Sequence, residues 1–306
     1  MTRSRRLPTS FDSAIWSITS YYNPCRYQRR SANFHEFRKA LRGPLLAIEL
    51  SYGNGFELTK GDADILIQIS GKSVLWQKER LLNVALGRLP ASAVYVAWID
   101  CDVVFHDTSW PTSAVDALQK FDLIQLFERA VDLEPDSTHV SGPMNYTGKS
   151  LVASIVSGEP ARQRTKHGLA WAGKRSLLEK HKFYDAMIVG GGDSAIAFAA
   201  CGRFKEYTAA TLMNLAQTNH YLQWARPFFD DVQANVGFIP GVLFHYWHGT
   251  FANRRHRQRH EGLAGFDFDP YADVAISENG CFVWSTDKPE LHRYVRQYFE
   301  LRNENA

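Results

Sequence analysis

The chain has 306 residues, with 35 Lys and Arg against 32 Asp and Glu, a formal net charge of +3 and a pI near 8.6. Hydrophobic residues at 45%, aromatics at 13% and charged residues at 22% describe a globular chain with a sizeable core, which excludes a disordered or fibrous class. The mild basicity permits an anionic ligand without demanding nucleic acid. No apolar run approaches the length of a membrane span. The four cysteines, Cys25, Cys101, Cys201 and Cys281, form no Cys-x-x-Cys pair. They argue against a zinc site and for a reducing compartment, with Cys101 and Cys201 read as buried thiols.

Residues 1–13 read as a flexible leader, basic but not followed by the apolar segment of a signal peptide. A cytoplasmic location is expected. Residues 14–20 predict a strand, 29–42 a helix stopped by Gly43-Pro44, and 45–50 a second strand. That order opens a parallel α/β sheet, in which ligands bind beyond the carboxyl ends of the strands. The loop at that position offers Thr19, Ser20, Tyr21, Asn23, Arg26 and Arg30. Its rings suit a base and its cations a diphosphate; a solvated basic loop is the competing reading.

Residues 65–69 predict a third strand and 75–86 a helix with Lys78 and Glu79 on its polar side, Lys78 being assigned to the nucleotide. Residues 94–99 form an apolar run of the length of a doubly buried strand, ending in Asp100-Cys101-Asp102. Burying an unpaired carboxylate is costly and two together repel each other, so the pair calls for a cation. Mg2+ and Mn2+ take oxygen ligands and also bind phosphate oxygens. Two strand-end aspartates facing solvent are the plain alternative.

A helix over 114–120 and a strand over 121–127 follow. Residues 128–168 are rich in Asp, Ser, Gly, Pro and Thr and read as a long loop, either a flap over an acceptor site or plain surface. Residues 168–175 open a helix over 177–181. Gly190-Gly191-Gly192-Asp193 then leads a helix of small residues. Asp193 fits an N-cap, or a general base facing an acceptor hydroxyl. No Lys follows the glycines, so this is neither a Walker loop nor a dinucleotide fingerprint. Residues 236–249 predict a strand ending in His245 and His248, candidate Mn2+ ligands or locally bonded core histidines. Residues 253–260, Asn-Arg-Arg-His-Arg-Gln-Arg-His, are the densest cationic stretch, suited to a diphosphate or an acceptor phosphate, or a solvated face. An amphipathic helix over 291–301 closes the chain.

The nucleotide loop after the first strand, Asp100-Cys101-Asp102, Trp171-Ala172-Gly173, Gly190-Gly191-Gly192-Asp193 and the histidine-bearing strand together resemble the GT-A-fold, metal-dependent nucleotide-sugar glycosyltransferases. The C-terminal half is most similar to the β-galactosyltransferase group. The resemblance implies an α/β, GT-A-like (Rossmann-like) single large domain, with a mostly parallel sheet flanked by helices. It divides into a nucleotide-sugar-binding half over 14–127, an acceptor-binding and catalytic half over 128–285 and a C-terminal helix over 286–306.

It further implies transfer of a sugar from a nucleotide-diphosphate sugar, a UDP-sugar, to an acceptor hydroxyl with inversion. Asp193 would act as base. Asp102, Asp100 and His248 would hold Mn2+ or Mg2+, Asp102 directly and Asp100 through water or the ribose. Gly191, Gly192 and Arg254 would join the nucleotide contacts. Comparison with the glycogenin-like group makes His245 the ligand instead of His248. The acceptor is a glycan or, as a variant, a hydroxylated base in phage-type DNA. The sequence departs from the galactosyltransferases in having a single acidic residue, Asp193, followed by Ser194, and in lacking their disulfides and stem. A metal-dependent nucleotidyl- or phosphotransferase and a non-catalytic sugar-binding module are the rival functions.

Overall fold

The structure is a computed structural model and describes residues 13–138, 144–157 and 164–305. All but one residue of the expected leader therefore lies outside the described residues. The first half runs β1 (Ile15–Tyr22), α1 (Gln28–Ala40), β2 (Leu45–Ser51), β3 (Ile65–Ser70), α2 (Lys78–Leu86), β4 (Tyr95–Ile99), β5 (Val103–Phe105), α3 (Trp110–Leu118) and β6 (Leu123–Gln125). It continues with β7 (Arg129–Asp132), β8 (Gly148–Ser150), α4 (Leu151–Ser157), β9 (Arg164–Lys166), β10 (Ala170–Lys174), α5 (Arg175–His181), α6 (Gly192–Ala200), α7 (Phe204–Ala210) and α8 (Leu215–Val232). The remainder is β11 (Val236–Phe238), β12 (Val242–His245), α9 (Gln258–Leu263), β13 (Val274–Ile276), β14 (Phe282–Trp284) and α10 (Pro289–Leu301).

The expected α/β class is present. A seven-stranded sheet has the order β11-β6-β10-β4-β1-β2-β3, in which β10 runs antiparallel to both neighbours and the other pairings are parallel. Successive residues of a strand point to opposite faces, and the two cores follow that alternation. Trp16, Ile18, Leu46, Ile48, Val96 and Trp98 pack on one face with α2, α6, α8 and α10. Ile15, Leu45, Ala47, Ala97 and Ile99 pack on the other with α1 and α3. Covering both faces explains why β2 and β4 read as unbroken apolar runs.

Five expectations change. The expected helix over 177–181 is present as α5, but residues 170–174 before it form β10, an interior strand whose Gly173 faces Leu123 so closely that a Cβ would lie 2.6 Å from its Cδ2. Residues 128–168 are not a structureless loop: β7, β8, α4 and β9 lie within them, and 139–143 and 158–163 are outside the described residues. The helix expected over 75–86 begins at Lys78, because Trp76 N donates to Ile188 O and ties the preceding segment to a distant loop. The single strand expected over 236–249 is two strands in different sheets, β11 in the large sheet and β12 in a second sheet of order β5-β12-β7-β8-β9. Pro240-Gly241, with Gly241 at φ 139°, makes the corner. Cys101 and Cys201 are half-buried, and the buried thiol is Cys281.

The indoles of Trp98 on β4 and Trp171 on β10 stack at 6.0 Å and 4°, and Trp171 Nε1 donates to His167 O at 2.7 Å. Trp171→Ala is expected to lower unfolding free energy by about 3–5 kcal/mol in urea titration. A loss below about 1 kcal/mol would show that this strand pair does not anchor the sheet.

Candidate active site

β4 delivers the acidic motif. Thr19 Oγ1 on β1 donates to Ile99 O at 2.7 Å, and Asp100 N donates to Leu169 O at 2.8 Å, so the strand end is pinned from both sides. The chain then turns through Cys101-Asp102 into β5, which pairs antiparallel with β12 and sets Val103 opposite His245. Tyr246 N donates to Asp102 O at 2.8 Å. This ladder, not any spacing in the sequence, brings Asp102 to the two histidines.

The ligating atoms of Asp102, His245 and His248 lie within 4.8 Å of one another. His248 Nε2 is 3.1 Å from His245 Nε2 and 3.5 Å from Asp102 Oδ2; His245 Nε2 is 3.8 Å from Asp102 Oδ1. Asp102 Oδ1 is buried and has no hydrogen-bond partner. One carboxylate and two imidazoles converging around an orphaned oxygen are donors that fit Mn2+ or a similar divalent ion. Burial, then the charges of Arg254 and Arg302 among others, holds His248 well below the usual imidazole range, so it is neutral, the ligating form.

His245 Nδ1 donates to Asp132 Oδ1 at 2.7 Å, and Lys166 Nζ donates to both oxygens of Asp132 at 2.7 Å. Burial opposes the charge on Asp132, but those partners outweigh it and hold its carboxyl far below the usual range. Such an outer carboxylate fixes the ring and leaves Nε2 free to ligate.

Asp100 does not join this group. Its Oδ1 lies 2.5 Å from Lys78 Nζ, which also donates to Asp193 Oδ2 at 2.7 Å. Lys78 therefore bridges the end of β4 to the start of α6. Glu79, beside it, is 3% exposed, and neither carboxylate oxygen has a hydrogen-bond partner. A Cβ on Gly192 would collide with that carboxylate, so the third glycine of the run exists to let α6 approach α2. Three carboxylates crowd one ammonium. Burial first, then repulsion from Asp193 and Asp100 against the pull of Lys78, pushes Glu79 up to about 8. Burial first, then repulsion from Asp193 and Asp102 against the pull of Lys78, pushes Asp100 up to about 7.

These groups face a cavity of about 700 Å3 lined by Ser20, Arg30, Lys78, Asp100, Asp102, Gly191, Asp193, His248 and Arg254, among others. Thr19, Tyr21, Asn23, Arg26 and Gly192 do not line it. Thr19 closes β1 on β4, and Tyr21 and Asn23 hydrogen-bond Glu57 at 2.5 and 3.1 Å. Arg26 and its neighbours border a separate small crevice with Glu49 and Glu57. The cationic stretch divides: Arg254, His256 and Arg259 line the cavity, while Arg255 and Arg257 are exposed outside it.

The cavity also holds Tyr22, from the expected loop whose rings suit a base, and residues that sequence reasoning passed over: Trp76, Asp132, Lys166, His167 and Arg302. Arg302 and Glu304 follow α10, and Glu304 is 1% exposed. Glu304 accepts from Arg30 Nε at 2.9 Å, Arg30 Nη2 at 2.7 Å and Arg302 Nε at 2.6 Å. Those two guanidiniums offset burial and bring its carboxyl down to about 2. Gly249, at φ 92°, lets this segment pass: a Cβ there would sit 2.7 Å from Arg302 O. No periodic or spacing signal links residues 302–304 to residue 102.

No family model matches the chain, and no curated protein matches it in sequence. Among solved structures it is similar to a mannosyltransferase from Pyrobaculum calidifontis in complex with GDP-Man and Mn2+, at 14% identity and a TM-score of 0.40, covering 83% of this chain and 63% of that one. It is similar to glucosyl-3-phosphoglycerate synthase from Mycobacterium tuberculosis in complex with Mn2+, UDP and phosphoglyceric acid, at 13% identity and 0.37, covering 76% and 70%. It is also similar to 4-diphosphocytidyl-2C-methyl-D-erythritol synthase from Anaerococcus prevotii, at 11% identity and 0.34, covering 75% and 90%. Likenesses this distant transfer no activity. Among the described residues no helix is long and apolar enough to cross a membrane.

The raised Glu79 pKa makes stability depend on pH. Between the usual carboxylate range and about 8 the folded chain keeps a proton that the unfolded chain releases. Stability therefore falls as pH rises through that window. Glu79→Gln keeps the shape and removes the ionisation. Urea unfolding is expected to show its stability relative to wild type improving from pH 5 to pH 8; an unchanged difference would mean that Glu79 is already charged in the native state.

Proposed function

We propose that the chain is a cation-dependent glycosyltransferase of the GT-A type. It moves a hexosyl group from a nucleoside-diphosphate sugar, a UDP-sugar, to a hydroxyl of a glycan acceptor. The observation that supports it most is the orphaned, buried Asp102 Oδ1 facing the rings of His245 and His248 at the carboxyl end of the sheet, on the wall of a cavity large enough for such a donor.

Asp102, His245 and His248 would hold the cation. The chemistry it supplies there is positive charge against the leaving diphosphate. Arg254, whose buried Nε has no hydrogen-bond partner, supplies a further donor for phosphate oxygens from the same wall. Lys78 fixes Asp193 in the cavity, with Gly168 so close that a Cβ there would meet the Asp193 carboxylate. In the reaction Asp193 takes the proton of the acceptor hydroxyl. The oxygen bonds to the anomeric carbon, the bond from that carbon to the diphosphate breaks, and the configuration inverts. His167, whose Nδ1 lies 2.9 Å from Ser194 Oγ, and Thr165 line the same cavity and are the polar groups proposed to meet the acceptor.

A thermal-shift panel of UDP, GDP and their hexose conjugates with and without Mn2+ tests the donor and the cation together, since a ligand that binds the native state raises its melting temperature. Stabilisation by a UDP-hexose that requires Mn2+ is expected. Asp102→Asn should abolish both that shift and turnover while leaving the metal-free melting temperature near wild type. Asp193→Asn should retain UDP binding and lose about 10²–10⁴-fold in turnover. Release of pyrophosphate in place of UDP would replace this reading with nucleotidyl transfer.

A further inference from the structure

The atoms around His248 contain a donor conflict. Arg302 Nη2 lies 3.3 Å from His248 Nδ1, and a guanidinium only donates, so Nδ1 accepts. An accepting Nδ1 carries no proton, so the ring's proton is on Nε2, 3.1 Å from His245 Nε2. His245 Nε2 accepts from it, and the His245 proton is on Nδ1, donated to the carboxylate of Asp132 at 2.7 Å. All the protons thus point one way, from Arg302 through His248 and His245 to Asp132. A cation bound to both Nε2 atoms needs His248 to carry its proton on Nδ1 instead, where the Arg302 donor stands.

We propose that Arg302 is a positioning residue that couples the cation site to an anion in the cavity. It does so by dictating which nitrogen of His248 carries the proton. The inference rests on the reading of Asp102, His245 and His248 as a cation site. Arg302 is 4% exposed, held by Glu304 at 2.6 Å and Tyr298 Oη at 3.1 Å, with its guanidinium carbon 5.5 Å from the centre of the Trp76 ring, and it lines the cavity. A diphosphate in that cavity competes for its free N–H groups. When the guanidinium turns to the anion, the proton leaves Nε2 and one is taken up on Nδ1. Glu304 Oε1 stands 3.9 Å from Nδ1, outside hydrogen-bond reach until the ring or the carboxylate shifts toward the other. Cation and anion then bind cooperatively, each releasing the other's obstacle.

Histidine-selective 15N labelling of the full chain reads this directly, because the two neutral tautomers have distinct ring-nitrogen shifts. In the metal-free wild type the expected result is Nε2–H at His248 and Nδ1–H at His245. In Arg302→Met, His248 is expected to shift toward Nδ1–H. Calorimetric Mn2+ titration without nucleotide should tighten by about fivefold or more, and the enhancement of Mn2+ affinity by UDP should shrink. Arg254→Met removes a nearby positive charge without touching Nδ1, and should leave the His248 tautomer unchanged. Nδ1–H at His248 in the wild type overturns the proposal without any variant. An unchanged tautomer in Arg302→Met also overturns it. Absence of Mn2+ binding to the wild type with or without UDP instead removes the cation site on which the proposal rests.

Discussion

The buried and half-buried carboxylates at the carboxyl edge of the sheet govern the arrangement of everything around them. Leaving a fully buried charge such as Glu304 without a partner costs about 3–5 kcal/mol, and a half-buried one such as Asp132 less, so each is matched. Asp100 and Asp193 share Lys78; Asp132 takes Lys166 and His245; Glu304 takes Arg30 and Arg302. Glu79 is kept by holding its proton. Asp102 is left with an orphaned oxygen and two imidazoles.

Placing those partners requires the second sheet. Asp102 sits on the turn between β4 of the large sheet and β5 of the small one, and His245 arrives because β12 leaves the large sheet at Pro240-Gly241. The segment after α10 closes the site from below, passing over Gly249 and lodging Glu304 between Arg30 and Arg302. The site therefore depends on separate stretches of the chain: the ends of β1 and β4, Lys78 on α2, Asp132 on β7, Lys166 on β9, Asp193 on α6, the histidine corner and residues 302–304. The glycine run serves packing as much as ligand approach: Gly190 and Gly191 adopt φ 86° and 118°, and Gly192 makes room for Glu79.

Much of the fold is legible in the residues. β1, α1, β2, β3 and β4 announce themselves through apolar runs, helical spacing and the Gly43-Pro44 stop, because those signals are local. β10 misleads, since Ala-Trp-Ala-Gly-Lys has small residues compatible with either state and only its two sheet neighbours decide the matter. α8 is absent from the expected elements, although the reciprocal cap of Asn214 and Gln217 at its start is a local signal that could have found it. The short strands of 128–168 carry too few residues to show a period. Within the candidate site, Asp100-Cys101-Asp102, Asp193, His245 and His248 are visible as residues with chemistry. Their division of labour is not.

By itself the sequence determined that a buried strand ends in two carboxylates, that an α/β sheet precedes them and that an acid and two histidines follow at a distance. Those are matters of composition and near-neighbour pattern. Only the tertiary structure decided that Lys78 claims Asp100, leaving Asp102 to the histidines, and that Arg302 and Glu304 stand behind His248. Charge pairing across hundreds of residues is set by which side chains the packed sheets and the last helix bring within a few ångströms, and no local pattern encodes that distance.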